Sequence, residues 1–265
     1  MSSNAAQINY AQPRQVDDLA DCFFYHTMTL PGFEEVRGQW DLRGRFDEYV
    51  GNIDVEGKSV IDIGTATGFL SFEAENRGAI RVLSFDIGDA RHQHFLPFKD
   101  KLPFRAPNQW ADVYGAEIEN WRNAYWLCHR LLKSRAQTFY GNVYDLPVTL
   151  GSFDVALVGS VLEHLSDPIG ALASIARLTR ETMVVVTPLF ESDECIARFE
   201  GRADKPENDF TWWTYSTSLY NEVFRMLGFK IKSITSAEYL YHYRDRLERR
   251  HTIVAEREKF SSVAT

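Results

Sequence analysis

The chain has 265 residues, 45% of them hydrophobic and 25% charged, with a net charge of −8 and a pI of about 5.4. A chain of this size buries a sizeable core as one large domain or two small ones. Its acidic balance supplies no global field toward nucleic acid or an anionic membrane. Cys22, Cys128 and Cys195 are few, odd in number and far apart. A disulfide framework or metal site is therefore not expected, and reduced thiols in the cytoplasm are. The polar start MSSNAAQINYAQPRQ has no apolar signal core, and no apolar run is long enough to span a bilayer.

In chain order, residues 1–16 read as a loose arm, and residues 17–50 as mostly helical with a turn at Pro31-Gly32. A helix closes over residues 45–52, before a turn at Glu56-Gly57. The run KSVIDI, residues 58–63, has no polar face, as in a strand covered on both sides. Residues 69–77 predict a helix stopped by Gly78, and RVLSFD, residues 81–86, a second strand. An amphipathic helix over 120–134 leads to a strand over 136–140, and FDVALV over 153–158 is a further strand. A helix over 169–178, the strand TMVVVT over 182–187 and a helix over 219–226 follow. The last two strands fall at 230–235 and 252–255. This alternation predicts an α/β fold with a mostly parallel sheet covered by helices on both faces. Residues 88–119 and 191–215 interrupt it, and insertions after strands are expected as lids and substrate walls.

The most informative stretch is IDIGTATGFLS, residues 61–71. A strand entering small residues and then a helix lets a ligand approach the backbone and the free N–H groups of the helix start. The spacing from Gly64 through Thr65 and Ala66 to Gly68 is not the G-x-G-x-x-G of dinucleotide sites, and it lacks the lysine of a P-loop. Phosphate is disfavoured. Asp62, at the strand end, suits an ammonium group or the loop's own N–H donors. Asp86 closes the next strand, where a carboxylate takes the two hydroxyls of a ribose. A nucleoside with a charged amino-acid tail and no phosphate fits this set: S-adenosylmethionine.

With QWDLRGRFDEYV, VIDIGTATGFLSFEAENRGA, VALVGSVLEHLSDP and TWWTYSTSLYNEVFRMLGF on the page, the chain resembles a class I S-adenosylmethionine-dependent methyltransferase, and more narrowly the branch around the bacterial tRNA wobble-uridine carboxymethyltransferase. The resemblance implies a Rossmann-like seven-stranded sheet with a final antiparallel strand, an N-terminal helical arm or lid over residues 1–50 and a methyltransferase domain over 51–265. It implies cofactor contacts from Trp40, Arg45, the loop at Gly64, Asp86 with Ile87, Asn142 with Val143 and Tyr144, and Gly159. Arg250 matches a basic residue before the last strand. In the wobble enzyme a lysine, a tyrosine and an arginine hold the extra carboxylate of a carboxylated cofactor. The lysine position falls here on His26 and the tyrosine position on Glu163. A glutamate facing a ligand carboxylate is a costly like-charge pair, so carboxy-S-adenosylmethionine is disfavoured and ordinary S-adenosylmethionine expected.

The resemblance places His26 and Glu163 near the methyl end, and these with His164 are the candidate bases for a hydroxyl or amine acceptor. Tyr25, Trp212, Trp213, Tyr215 and Arg250 are candidate acceptor contacts, the aromatics by stacking on a flat or sugar-like group. The stretch RHQHFLPFKDKLPFR, residues 91–105, is a candidate clamp for an anionic acceptor. The expected reaction is methyl transfer to a small-molecule or saccharide-like acceptor, most readily at oxygen. A tRNA wobble modifier, a cofactor-binding partner subunit without catalysis and, more distantly, a nicotinamide oxidoreductase are the alternatives. The oligomeric state is not legible.

Overall fold

A computed structural model of the chain describes residues 8–33, 35–93, 107–204 and 211–258. The strands are β1 (Trp40–Asp41), β2 (Ser59–Ile63), β3 (Arg81–Ile87), β4 (Gln137–Gly141), β5 (Phe153–Gly159), β6 (Thr179–Thr187), β7 (Leu189–Phe190), β8 (Ala197–Phe199), β9 (Trp213–Ser216), β10 (Phe229–Tyr241) and β11 (Arg246–Arg257). The helices are α1 (Phe46–Tyr49), α2 (Phe69–Asn76), α3 (Pro107–Leu131), α4 (Pro168–Leu178) and α5 (Thr217–Met226).

One eight-stranded sheet has the order β1-β10-β11-β6-β5-β2-β3-β4. Neighbours from β6 to β4 are parallel, and β11 runs antiparallel to both β6 and β10. The expected seven strands become eight because Trp40–Asp41 adds a short antiparallel edge to β10. Alternate strand residues enter two separate cores. Val60, Val82, Val155, Leu157 and Val184 pack toward α2 and α3. Ile61, Leu83, Phe85, Ala156 and Met183 pack toward α4 and α5. Both faces are covered, so the strands read as unbroken apolar runs, and each fully buried aliphatic side chain contributes about 1.5–3 kcal/mol. Asp167 caps α4, accepting from the Gly170 N–H at 2.9 Å, and Ser216 caps α5, accepting from Leu219 N–H at 3.2 Å.

Four expectations need correction. Residues 17–50 are mainly extended: apart from a single 3₁₀ turn at Leu19–Asp21, the described helix there is the four-residue α1. The side chains explain this, because Phe24, His26, Met28 and Leu30 are buried at a period of two. The turn at Pro31-Gly32 does form. Helix α3 begins at Pro107, well inside the stretch read as aperiodic. The hairpin β10–β11 runs far beyond residues 235 and 252, and since β6 ends opposite His251, residues 236–250 rise past the carboxyl edge of the parallel strands. In the second insertion, β8 and β9 pair with β7 as a three-stranded sheet. Most of the basic stretch over 91–105 lies outside the described residues. Among those residues no helix is long and apolar enough to cross a membrane, and no group of three metal-ligating side chains occurs. Cys22, Cys128 and Cys195 are free thiols.

Candidate active site at the carboxyl edge of the sheet

The parallel strands end together, and the residues beyond them build a crevice. At the end of β2, Gly64 has φ +72°, and a Cβ there would stand 2.4 Å from Cγ2 of Val161. Gly68, with φ +91°, is closed in the same way by Phe72 and Tyr125. Both positions therefore require glycine. Ala66 carries φ +49°, a left-handed conformation that an alanine holds under strain. Its N–H donates to Asp86 Oδ2 at 2.7 Å, and the Ile87 N–H donates to Asp86 Oδ1 at 2.7 Å. Burial raises the Asp86 carboxyl above its ordinary value, opposed by these two N–H donors and by the charge of Arg122.

Asp62 lies beneath this loop, 1% exposed. Its Oδ2 accepts from Thr65 Oγ1 and Ser71 Oγ, each at 2.8 Å, while Oδ1 is buried with no partner among the described residues. Burial raises its carboxyl to about 6; the hydroxyl donors oppose that rise, and the charge of Asp86 adds to it.

Beside the loop, Ile87 is half-buried against the small cluster of Ala90, Ala111 and Ile118. The Asn142 side chain accepts from Tyr144 N–H at 3.0 Å, fixing the turn at Val143–Asp145. Tyr144 shares a hydrogen bond of 3.3 Å with Ser166. Arg122 on α3 donates to the carbonyls of Ile87 (2.7 Å) and Gly88 (2.9 Å), and its guanidinium lies 4.1 Å from the Tyr140 ring centroid. It thereby holds the strand end that presents Asp86.

The other half of the crevice is assembled from distant segments. Gly159 ends β5 and would press a Cβ against Leu70 and Tyr49. Ser160 follows with φ +51° and shares a 3.4 Å hydrogen bond with the Tyr49 hydroxyl. Glu163, 3% exposed, accepts from Thr187 Oγ1 at 3.4 Å and forms no ion pair among the described residues. Burial raises the phenols of Tyr25, Tyr49 and Tyr220, and the charge of Glu163 adds to each rise. Arg250 opposes the rise at Tyr25 and Tyr49, and its guanidinium lies 4.6 Å from the Trp40 ring centroid.

His26 is 6% exposed, with Nδ1 buried and without a partner among the described residues, and burial lowers its imidazole to about 3. Its ring meets Tyr25 edge-on at 5.0 Å and Phe69 at 5.8 Å. The extended N-terminal segment is pinned to the glycine loop, because Thr67 Oγ1 accepts from the N–H groups of Tyr25 (2.8 Å) and His26 (3.1 Å).

The structure thus gathers Asp62, Gly64, Thr65, Ala66, Gly68, Asp86, Ile87 and Arg122 at one end, and Tyr25, Trp40, Glu163 and Arg250 at the other. Arg45 is bonded to Glu48 and to the Glu238 carbonyl at 3.4 Å. Trp212 and Tyr215 are packed in the interior beside the acceptor end: the Trp212 N–H donates to the Glu163 carbonyl at 2.8 Å, and the Tyr215 ring centroid lies 5.5 Å from that of Tyr220. The Trp213 indole N–H donates to the Ser166 carbonyl at 3.2 Å. The backbone carbonyl of His164 accepts from the Gln93 side chain at 3.0 Å. Sequence reasoning missed Thr67, Arg122, Tyr49 and Tyr220. The stripe Ala111-Tyr114-Ile118-Trp121-Tyr125 was a readable helical signal that would have placed Arg122 on α3.

These residues fit S-adenosylmethionine. A buried carboxylate oxygen without a donor among the described residues calls for one, and an ammonium group is such a donor. Asp86 offers acceptors for ribose hydroxyls, and the glycine cradle has no room for side chains that would hold a ligand away. The model of the methyltransferase domain matches residues 39–242, most of the chain. No curated protein matches. Among solved structures, magnesium protoporphyrin IX methyltransferase from Synechocystis, with bound S-adenosylhomocysteine, is 14% identical over 80% of each chain with a TM-score of 0.49. The 1,6-didemethyltoxoflavin-N1-methyltransferase of Burkholderia thailandensis is 18% identical, covering 82% of this chain and 78% of that one, with a TM-score of 0.48. An S-adenosylmethionine-dependent methyltransferase from Mesorhizobium loti is 15% identical, covering 82% of this chain and 100% of that one, with a TM-score of 0.47. Likeness this distant carries no argument about the acceptor. The family match has a plain consequence: the chain belongs to the methyltransferase-domain family and is an S-adenosylmethionine-dependent methyltransferase.

Proposed function

We propose that the protein transfers a methyl group to a hydroxyl of a small, uncharged or cationic organic acceptor, with Glu163 as the proton acceptor. The observation that carries this reading is the buried Glu163 carboxylate after β5, without an ion-pair partner among the described residues, whose charge adds to the rise of three buried phenols. When bound, the cofactor supplies a methyl group made electrophilic by its sulfonium. Asp86 and the loop from Gly64 to Gly68 hold the adenosyl part, and Ile87, Val143 and Tyr144 flank its base. Gly159 lets Leu70 and Tyr49 pack closely against the end of β5.

In this reading Glu163 takes the acceptor's proton, and Thr187 steadies the carboxylate. Tyr25, Tyr49 and Tyr220, all pushed toward the neutral phenol, offer O–H groups that orient a polar acceptor without adding charge. His26 serves as a neutral wall, since an imidazole lowered to about 3 holds no proton near neutral pH. Trp213 and Arg250 border the entrance. The acid at this position also argues against a carboxylated cofactor, whose extra carboxylate it would repel.

A second reading keeps the wobble-uridine branch. The exposed Arg244, Arg246 and Arg249 on the hairpin rising beside the crevice favour it, although Glu248 and Glu238 neutralise them in part. Radiolabelled methyl transfer, run in parallel on panels of phenols and hydroxylated sugars, on amines, and on unmodified tRNA, separates the readings. Label on a hydroxyl compound at a rate indifferent to salt is expected. Label on tRNA alone, falling steeply between 50 and 200 mM salt on the scale of about a hundredfold or more, would replace the first reading by the second.

A further inference from the structure

Beneath the glycine loop a line of buried hydroxyls crosses four elements. Thr138 Oγ1 on β4 donates to the Tyr125 hydroxyl on α3 at 2.9 Å. Tyr125 donates to Ser84 Oγ on β3 at 2.9 Å, and Ser84 donates to Ser71 Oγ on α2 at 2.7 Å. Ser71 then donates to Asp62 Oδ2 at 2.8 Å, beside the parallel bond from Thr65. All are sealed from solvent: Thr138, Tyr125 and Asp62 are 1% exposed, and Ser84 and Ser71 0%. Hydroxyls in a core of this kind are costly when half satisfied. Here every O–H points the same way along the line, and the line ends on a carboxylate whose second oxygen is unpartnered.

We propose that Thr138, Tyr125, Ser84 and Ser71 are positioning residues: their aligned O–H dipoles hold Asp62 ionised and saturate Oδ2, leaving Oδ1 to receive the ammonium group of the cofactor. The proposal rests on the cofactor reading above for its second half. A lone carboxylate at this depth gives up its charge unless donors oppose burial. Two hydroxyls meet it directly, and the Ser71 hydroxyl is polarised by the donors behind it. The Ser71 backbone N–H adds a smaller support, and the charged groups nearby add none. Asp86 on β3 raises Asp62, Arg122 on α3 is committed to Glu119 and to the Ile87 and Gly88 carbonyls, and β5 places Leu157 beside it. The chain also joins the glycine loop to the far strand β4, so the loop's charge is set by residues that the ligand does not touch.

The test follows the Asp62 side-chain carboxyl by carbon NMR in the free protein, with Asp62→Asn used to assign the signal. Calorimetric titration of S-adenosylhomocysteine is run across the same pH range. In the wild type the carboxyl titrates near 6, and affinity falls about tenfold per pH unit below that point. Ser71→Ala moves the titration upward by about one unit. Ser84→Ala moves it by about half as much, and Tyr125→Phe, which keeps the ring and the packing, by a few tenths. The pH at which affinity falls moves with them, while the affinity at high pH stays within about twofold. A graded decline along the line is not expected of residues that merely fill space. Titration points unmoved in the two variants furthest from Asp62 overturn the chain. Asp62→Asn that binds S-adenosylhomocysteine with wild-type affinity and pH profile overturns the ammonium contact, and the NMR titrations of the free protein still decide the chain.

Discussion

At the ribose end of the crevice, Asp62, Gly64, Ala66, Gly68 and Asp86 come from two adjacent parallel strands and the turn that leaves the first of them. At the acceptor end, Tyr25 comes from an extended N-terminal segment, Tyr49 from a one-turn helix, Glu163 from the turn after β5, Tyr220 from α5 and Arg250 from the hairpin. The first end is local in sequence and held by backbone bonds, such as the N–H groups of Gly64 and Thr65, both donating to the Phe85 carbonyl at 2.9 and 3.0 Å. The second is assembled by tertiary packing from five segments. In the proposed function, a common reagent is bound by the part of the fold that a short motif dictates, and a particular acceptor by the part assembled around it.

This contrast is sharpened first at Glu163. Glu163→Gln removes the proton acceptor and should lower kcat about 10²–10⁴-fold while leaving S-adenosylhomocysteine affinity within about threefold. His26→Ala should cost packing and little of the pH dependence. If Glu163→Gln retains wild-type turnover on the true acceptor, the acid has been misassigned. At the opposite end, Asp86→Ala should weaken cofactor binding by about 1.5–3 kcal/mol, the worth of hydrogen bonds to a charged group, with no change in which acceptor is used. An altered acceptor preference with intact affinity would dissolve the division between the two ends.

The sequence exposed these two ends unequally, for physical reasons. A strand covered on both faces must be apolar throughout, so KSVIDI and TMVVVT were readable, and the bend between strand and helix demanded small residues in a fixed order. By contrast, the segment over 17–50 offered aromatics and branched residues at a period of two that became visible only once Phe24, His26, Met28 and Leu30 were found buried. The rising part of the β10–β11 hairpin has scarcely any buried face, since its order comes from antiparallel pairing and from β1. No local pattern announces that Tyr49, Tyr220 and Glu163 belong to one region. His26, Glu163 and Arg45 entered as candidates through resemblance alone.

Asp62, beneath the glycine loop, also stores a cost. A carboxyl raised on folding from 3.8 to about 6 binds its proton more tightly in the folded state. It therefore opposes folding above about pH 6, and the penalty fades as the pH falls through 6 toward 4. Asp62→Asn should stabilise the free protein at pH 8 by up to about 3 kcal/mol and by nearly nothing at pH 3.5, as read from denaturant midpoints at the two pH values. Equal stabilisation at both would remove the charge as its cause. The smallest effect is expected at Ala66. Replacing it by glycine relieves the left-handed strain and should raise stability by about 0.5–1 kcal/mol, with cofactor affinity unchanged or slightly tighter, as thermal melts with and without ligand would show.

The central claim is that the crevice over β2 and β3 seats an adenosyl group by its ribose and its amino-acid tail. A crystal structure with S-adenosylhomocysteine at saturating concentration tests it most directly. The account predicts both ribose hydroxyls on the Asp86 carboxylate and the ammonium group above Asp62, next to Gly64. Ligand density at another place on the molecule, or a crevice that stays empty under those conditions, contradicts it.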